Sequence, residues 1–118
     1  MKKYIFTLIL LLLSPLLLFA QAVVISEYMN VSGNADGEWT ELIVLDDIVD
    51  MTGWKLRDNS DAESWRSGVT FKNINLWKAV SRGTIIVINH RYSGLQLDAD
   101  GSDGYIEVTA ADPNYFDI

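Results

Sequence analysis

From Gln21 onward the chain never sustains the three-to-four-residue apolar spacing of a helix. It advances in short β-rich runs cut by turn residues. Val23–Tyr28 reads as a first strand and Glu38–Leu45 (EWTELIVL) as a second, with the polar, Gly-containing Asn30–Gly37 between them. The second is apolar on both faces toward its end, which predicts cover on both sides there. Trp54-Lys55-Leu56-Arg57 alternates, with Trp54 and Leu56 expected inward and the cations outward. Val69–Phe71 is short. Thr84–Asn89 (TIIVIN) is the most strongly β of the runs and is expected to be central, and Tyr105–Thr109 is the last clear strand. Asp46–Gly53 and Lys72–Gly83 read as connections. Short strands at this spacing indicate an all-β sandwich. A sandwich usually takes about seven strands to close two sheets, and six are legible. Tyr115, Phe116 and Ile118 look like the start of something apolar, so the expectation is a domain lacking its last strands, or the front of a longer protein.

The first 20 residues are of another kind. Lys2 and Lys3 precede the apolar run Tyr4–Leu13, then Ser14-Pro15, then Leu16–Ala20. A positive start, an apolar middle and small residues at the exit describe a secretory signal peptide, expected as a helix and cleaved after Ala20 or Ala22. The competing reading, a retained anchor, has only Tyr4–Ala20 to work with, at the short edge of a bilayer span and interrupted by Pro15. The chain therefore divides into a leader, 1–20, and one domain, 21–118. The domain is expected outside the cytoplasm, secreted or on the cell surface, with no membrane span once the leader is removed.

Composition removes several functions. There is no cysteine, so no disulfide framework, thiol nucleophile or thiolate metal site. The 118 residues carry a formal charge of −7. Two of the nine cations lie in the leader, which leaves seven against 16 carboxylates beyond it. Nucleic acid is not an expected partner, because affinity for phosphate comes from Lys and Arg.

Three stretches resemble one family. Val24-Ile25-Ser26-Glu27-Tyr28 opens the domain. Gly37-Glu38-Trp39-Thr40-Glu41-Leu42 follows a Gly- and Asp-containing loop. Met51-Thr52-Gly53-Trp54-Lys55-Leu56-Arg57-Asp58 comes next, and Gly83-Thr84-Ile85-Ile86-Val87-Ile88 fits a later strand after a Gly-containing turn. In this order and spacing they resemble a lamin-tail domain of the secreted bacterial type. The resemblance spans roughly 65 residues of the domain. It implies an immunoglobulin-like β-sandwich, and bacterial members often sit beside extracellular enzymes such as nucleases and phosphoesterases. The chain departs from the family where Val44-Leu45 runs into Asp46-Asp47 rather than a turn with proline, and from Arg91 to Ile118, which does not match the closing strands.

The residues have their own reading. Gly53 before Trp54 fits a turn needing positive φ. Trp39 and Trp54 are large enough to dominate a small core. Glu38 and Glu41 are three apart, so they lie on opposite faces of a strand and do not form a carboxylate pair. Solvation or a cross-strand Lys55 or Arg57 is expected to satisfy them. His90, the only histidine, ends a strand, and nothing in its spacing marks a Ser-His-Asp arrangement. In Asp98–Gly104 (DADGSDG), Asp98, Asp100 and Asp103 are the candidate ligands, for calcium, at partly EF-hand-like spacing. An Asp/Gly-rich turn explains the same residues. Trp65 and Trp77 lie in polar connections and are the candidate ligand-binding residues, as sugar-stacking platforms; the alternative is that they plug an open end of the sandwich.

These features point to a secreted or surface, non-catalytic β-sandwich module with a structural, adhesive or accessory binding role toward an extracellular protein or glycan. Its rivals are the accessory domain of a larger extracellular hydrolase and a carbohydrate-binding module.

Overall fold

The computed structural model describes residues 21–30, 37–58, 68–90 and 97–117. The leader and Trp65 lie outside these residues. The chain is all-β, with a single helical turn and a single 3₁₀ turn among the described residues. The strands are β1 (Val23–Met29), β2 (Trp39–Val44), β3 (Ile48–Val49), β4 (Lys55–Leu56), β5 (Val69–Phe71), β6 (Val80–Ser81), β7 (Ile85–Asn89), β8 (Tyr105–Thr109) and β9 (Phe116–Asp117). The helical turn α1 is Asn75–Lys78 and the 3₁₀ turn is Gly101–Asp103.

One sheet has the order β1-β2-β7-β8 and the facing one β4-β5-β9, while β3 and β6 form a separate pair. β2 alternates strictly, with Thr40, Leu42 and Val44 buried and Trp39, Glu41 and Ile43 half-buried on the outer face. The expected cover on both faces of this strand is therefore not found; Leu45, just past its end, is exposed. β7 is interior, as its composition predicts. It pairs antiparallel with β2 and in parallel with β8. β1 is an edge strand whose register shifts between Ile25 and Glu27, a bulge that turns the Ser26 hydroxyl onto Glu41 Oε1 at 2.6 Å.

Ile86 and Ile88 of β7 and Ile106 and Val108 of β8 face the same interior as Leu42 and Val44. Phe71 of β5 and Phe116 of β9 meet them from the other sheet. Trp77 on α1 stands edge-on to Phe71, centroids 4.9 Å apart, and Phe71 stands edge-on to Phe116 at 5.2 Å. Such pairs add to the burial term, which is about 1.5–3 kcal/mol for each large apolar side chain withdrawn from water.

The core aromatics are thus Phe71, Trp77 and Phe116, not Trp39 and Trp54. Trp39 lies on the outer face of β2, and Trp54 is 41% exposed ahead of β4. The turn that sets it there has Gly53 at φ +76°, the conformation its sequence position predicts. Nine strands form where six are legible. Asp46–Gly53 contains β3, Lys72–Gly83 contains α1 and β6, and Phe116–Asp117 closes onto β5 with Phe71↔Phe116 in register.

Candidate functional site

The β2–β7 register assembles a polar group that no local motif announces. Trp39 pairs with Asn89, so the next position in each strand places Glu38 opposite His90, and the His90 backbone N–H donates to the Glu38 carbonyl at 2.9 Å. Thr40 lies two residues from Glu38, on the same face. The His90 ring fills the space between them. Its Nε2 is 2.9 Å from Thr40 Oγ1 and its Nδ1 is 3.5 Å from Glu38 Oε2. With the proton on Nδ1 toward Glu38, Nε2 accepts from the Thr40 hydroxyl.

This line stands at the end of the sandwich where the two sheets part. The described residues there enclose a cleft of about 800 Å³. Thr40 and Ile88 form its floor, and Glu38 and His90 one wall. Leu56, Arg57 and Asp58, leaving β4, and Gly68-Val69, entering β5, form the opposite wall. Tyr28 and Met29 at the end of β1 make the rim, and Tyr28 is 70% exposed. Gly68 has φ +64°, and a Cβ there would collide with the Leu56 carbonyl oxygen, so glycine is what lets the two chains of this wall approach. The volume falls in the range of small-ligand sites.

Hydroxyl, imidazole and carboxylate in a row can pass a proton along the row. Here the hydroxyl belongs to a residue only 7% exposed. Both ring nitrogens already have partners, so the line acts as a fixture that holds three polar side chains in place at the mouth of the cleft.

The residues singled out in the sequence fare differently. Trp77 is 0% exposed, and its Nε1–H donates to the Tyr115 carbonyl at 3.0 Å. It has no face to offer a sugar, so its candidacy as a stacking platform is withdrawn and the plugging role stands. Trp65 lies outside the described residues. Asp98, Asp100 and Asp103 do not converge. Each accepts from a backbone N–H two residues on, respectively Asp100, Ser102 and Tyr105, at 2.9, 3.0 and 2.9 Å. The stretch is a run of Asx turns capping the 3₁₀ turn. Among the described residues no group of three or more His, Asp or Glu side chains is placed to hold a metal ion. The bond from the Ser102 N–H holds the Asp100 carboxyl below its usual value, as bonds from Thr52 do for Asp50.

Glu38 and Glu41 are satisfied, but not by Lys55 or Arg57, which belong to the other sheet. Glu38 pairs with His90 and Glu41 with Ser26. The outer face of β7–β8 carries a second network. Asn89 Nδ2–H donates to Glu107 Oε1 at 2.9 Å, and Tyr105 O–H to Glu107 Oε2 at 3.3 Å. Burial, and then the Glu107 charge, push the Tyr105 phenol above its ordinary value.

Sequence reasoning reached His90 and Glu38 singly but not their union with Thr40, because the pairing joins positions 50 residues apart. The alternation of β2 was the available signal. It puts Glu38 and Thr40 on one face. No helix among the described residues is long and apolar enough to cross a membrane. No family model, curated protein or solved structure matches the chain. The resemblance to a lamin-tail domain therefore rests on its motifs, and function must be argued from the geometry of the cleft.

Proposed function

We propose that the protein is a secreted or cell-surface module, of lamin-tail resemblance, that acts by non-catalytic binding at the open end of its sandwich. The observation that carries this reading is the cleft itself. It is of ligand size, it stands where the two sheets part, and its polar wall is fixed in advance by the Glu38–His90–Thr40 line. Side chains already held in one rotamer lose less freedom on binding. The leader-like first 20 residues support the extracellular placement. The net acidity of the domain supports a partner that is not a polyanion.

The test is re-binding to intact cells that lack the protein. Purified protein is added back and retention is measured for the wild type and for a Tyr28→Ala/Arg57→Glu double variant. Both side chains are on the surface of the cleft, so the variant is expected to fold and to lose retention. Equal retention would move the binding surface elsewhere, and no retention of the wild type would remove the adhesive role.

A further inference from the structure

We propose that the ligand of this cleft is a neutral, hydroxyl-rich ring, a sugar residue of a glycan, packed on Tyr28 and hydrogen-bonded by Glu38, Thr40, Arg57 and His90. The proposal rests on the binding reading above and gives it a ligand class. Three observations narrow the choice.

The first is charge. The cleft brings together the carboxylates of Glu38 and Asp58, the guanidinium of Arg57 and the imidazole of His90. There is no excess of positive charge to hold a phosphate, a sulfate or a uronate, which are recognised by clustered cations. An entirely apolar ligand would strip water from these groups and give no partners back, at a cost of several kcal/mol for each buried charge.

The second is the mixture of donors and acceptors. Arg57 only donates, the Glu38 carboxylate only accepts, and the Thr40 and Tyr28 hydroxyls do both. A sugar hydroxyl is itself both donor and acceptor, so one ring with several hydroxyls can answer all four. The Thr40–His90 bond of 2.9 Å and the His90–Glu38 contact of 3.5 Å set these groups before any ligand arrives.

The third is the rim. Tyr28 is 70% exposed there, beside Ile25 and Met29, which are also exposed. An aromatic face is electron-rich and apolar, and the C–H face of a sugar ring packs against such a surface while its hydroxyls point sideways to polar groups. The volume of about 800 Å³ leaves room for such a ring on the Tyr28 face and against the polar wall together.

The experiment is affinity electrophoresis of the protein in gels containing soluble neutral polysaccharides (a β-glucan, a xylan and a galactomannan). Parallel gels contain alginate, a uronate polymer, or polylysine. At least one neutral polymer is expected to retard the wild type. Retardation is expected to weaken at least tenfold in Tyr28→Ala and in Glu38→Gln, with both variants melting at the wild-type temperature. Alginate and polylysine are expected to leave mobility unchanged. The proposal is overturned if no neutral polymer retards the protein, if both variants bind as the wild type does, or if alginate or polylysine binds more strongly. Cell re-binding that depends on the cleft, together with no retardation by neutral polymers, would remove the sugar and leave the binding module.

Discussion

Trp77 offers the sharpest test of the packing, because sequence and structure assign it different work. A surface tryptophan that stacks on a ligand can be removed with little loss of stability. A tryptophan that fills the core cannot. Trp77 is fully buried, stands edge-on to Phe71 at 4.9 Å, and donates its N–H to the Tyr115 carbonyl at 3.0 Å. Trp77→Ala removes the ring and leaves a cavity, at about 3–5 kcal/mol. The lost hydrogen bond adds about 1 kcal/mol, toward the low end, because the Tyr115 oxygen still accepts from the Lys72 backbone N–H. A total of about 4–6 kcal/mol would consume most of the stability of a domain this size, which is about 5–15 kcal/mol. Trp77→Phe is the informative partner. It keeps a ring between Phe71 and Phe116 and loses the donor and part of the volume, at about 2 kcal/mol in all. That lowers Tm by roughly 8–16 °C. The assay is urea unfolding followed by far-UV circular dichroism, with thermal melts alongside. Wild-type midpoints for Trp77→Ala, or a Trp77→Phe change within about 0.5 kcal/mol, would refute the argument that this residue is core.

Further outcomes follow from the same geometry. Gly68→Ala should destabilise far more than Gly83→Ala. Both positions have positive φ, which costs about 1–2 kcal/mol for an L-residue, but only at Gly68 does the new Cβ meet a backbone oxygen. Equal midpoints in urea would contradict the close approach at the cleft wall. Asp50 and Asp100 are held below the ordinary carboxylate value of 3.8 by bonds from Thr52 and Ser102. Their contribution to stability is therefore complete above that value and lost as pH falls through the lower folded-state values. Thermal melts from pH 7 to pH 2.5 should show a loss on the acid side that Asp50→Asn/Asp100→Asn makes shallower, and a double variant with the wild-type slope would contradict the assignment. The Tyr105 phenol is pushed upward, first by burial and then by Glu107, so stability should fall as pH rises past 10.0. Ultraviolet titration should find one late-ionising tyrosine whose ionisation moves earlier in Glu107→Gln; an unmoved titration would count against the pair. Because Asp98, Asp100 and Asp103 cap backbone N–H groups, calcium at millimolar concentration should leave Tm unchanged, and a rise abolished by Asp100→Ala would reinstate a calcium site.

Local rules carried the sequence reading where the physics is local. The alternation of EWTELIVL places Leu42 and Val44 inward, the composition of TIIVIN predicts an interior strand, and Gly53 before Trp54 predicts a positive φ. They failed where two-residue strands depend on a distant partner. Ile48–Val49 and Val80–Ser81 have no pattern of their own and become strands only by pairing with each other. Phe116–Asp117 is a strand only because β5 is there to receive it. Trp54 shows the opposite error. Its size suggests core, but the turn at Gly53 leaves it exposed and the interior goes to Trp77, which a polar connection disguises. The cleft was invisible for the same reason as β3. Glu38 and Thr40 are two apart in sequence, whereas His90 joins them through strand register alone.

The two ends of the described fold have a mechanical consequence. Val23 pairs with Val44, at the end of the long sheet away from the cleft. Asp117 pairs with Thr70, one step from Val69 in the cleft wall. Tension applied between Val23 and Asp117 would run along the strands, loading β1 against β2 and β9 against β5 in shear. The first of these seams is held by six paired positions and the second by two. A tether pulled from both sides would yield at β9, drawing Phe116 out of the interior while the four-stranded sheet, and the polar wall of the cleft it carries, still held.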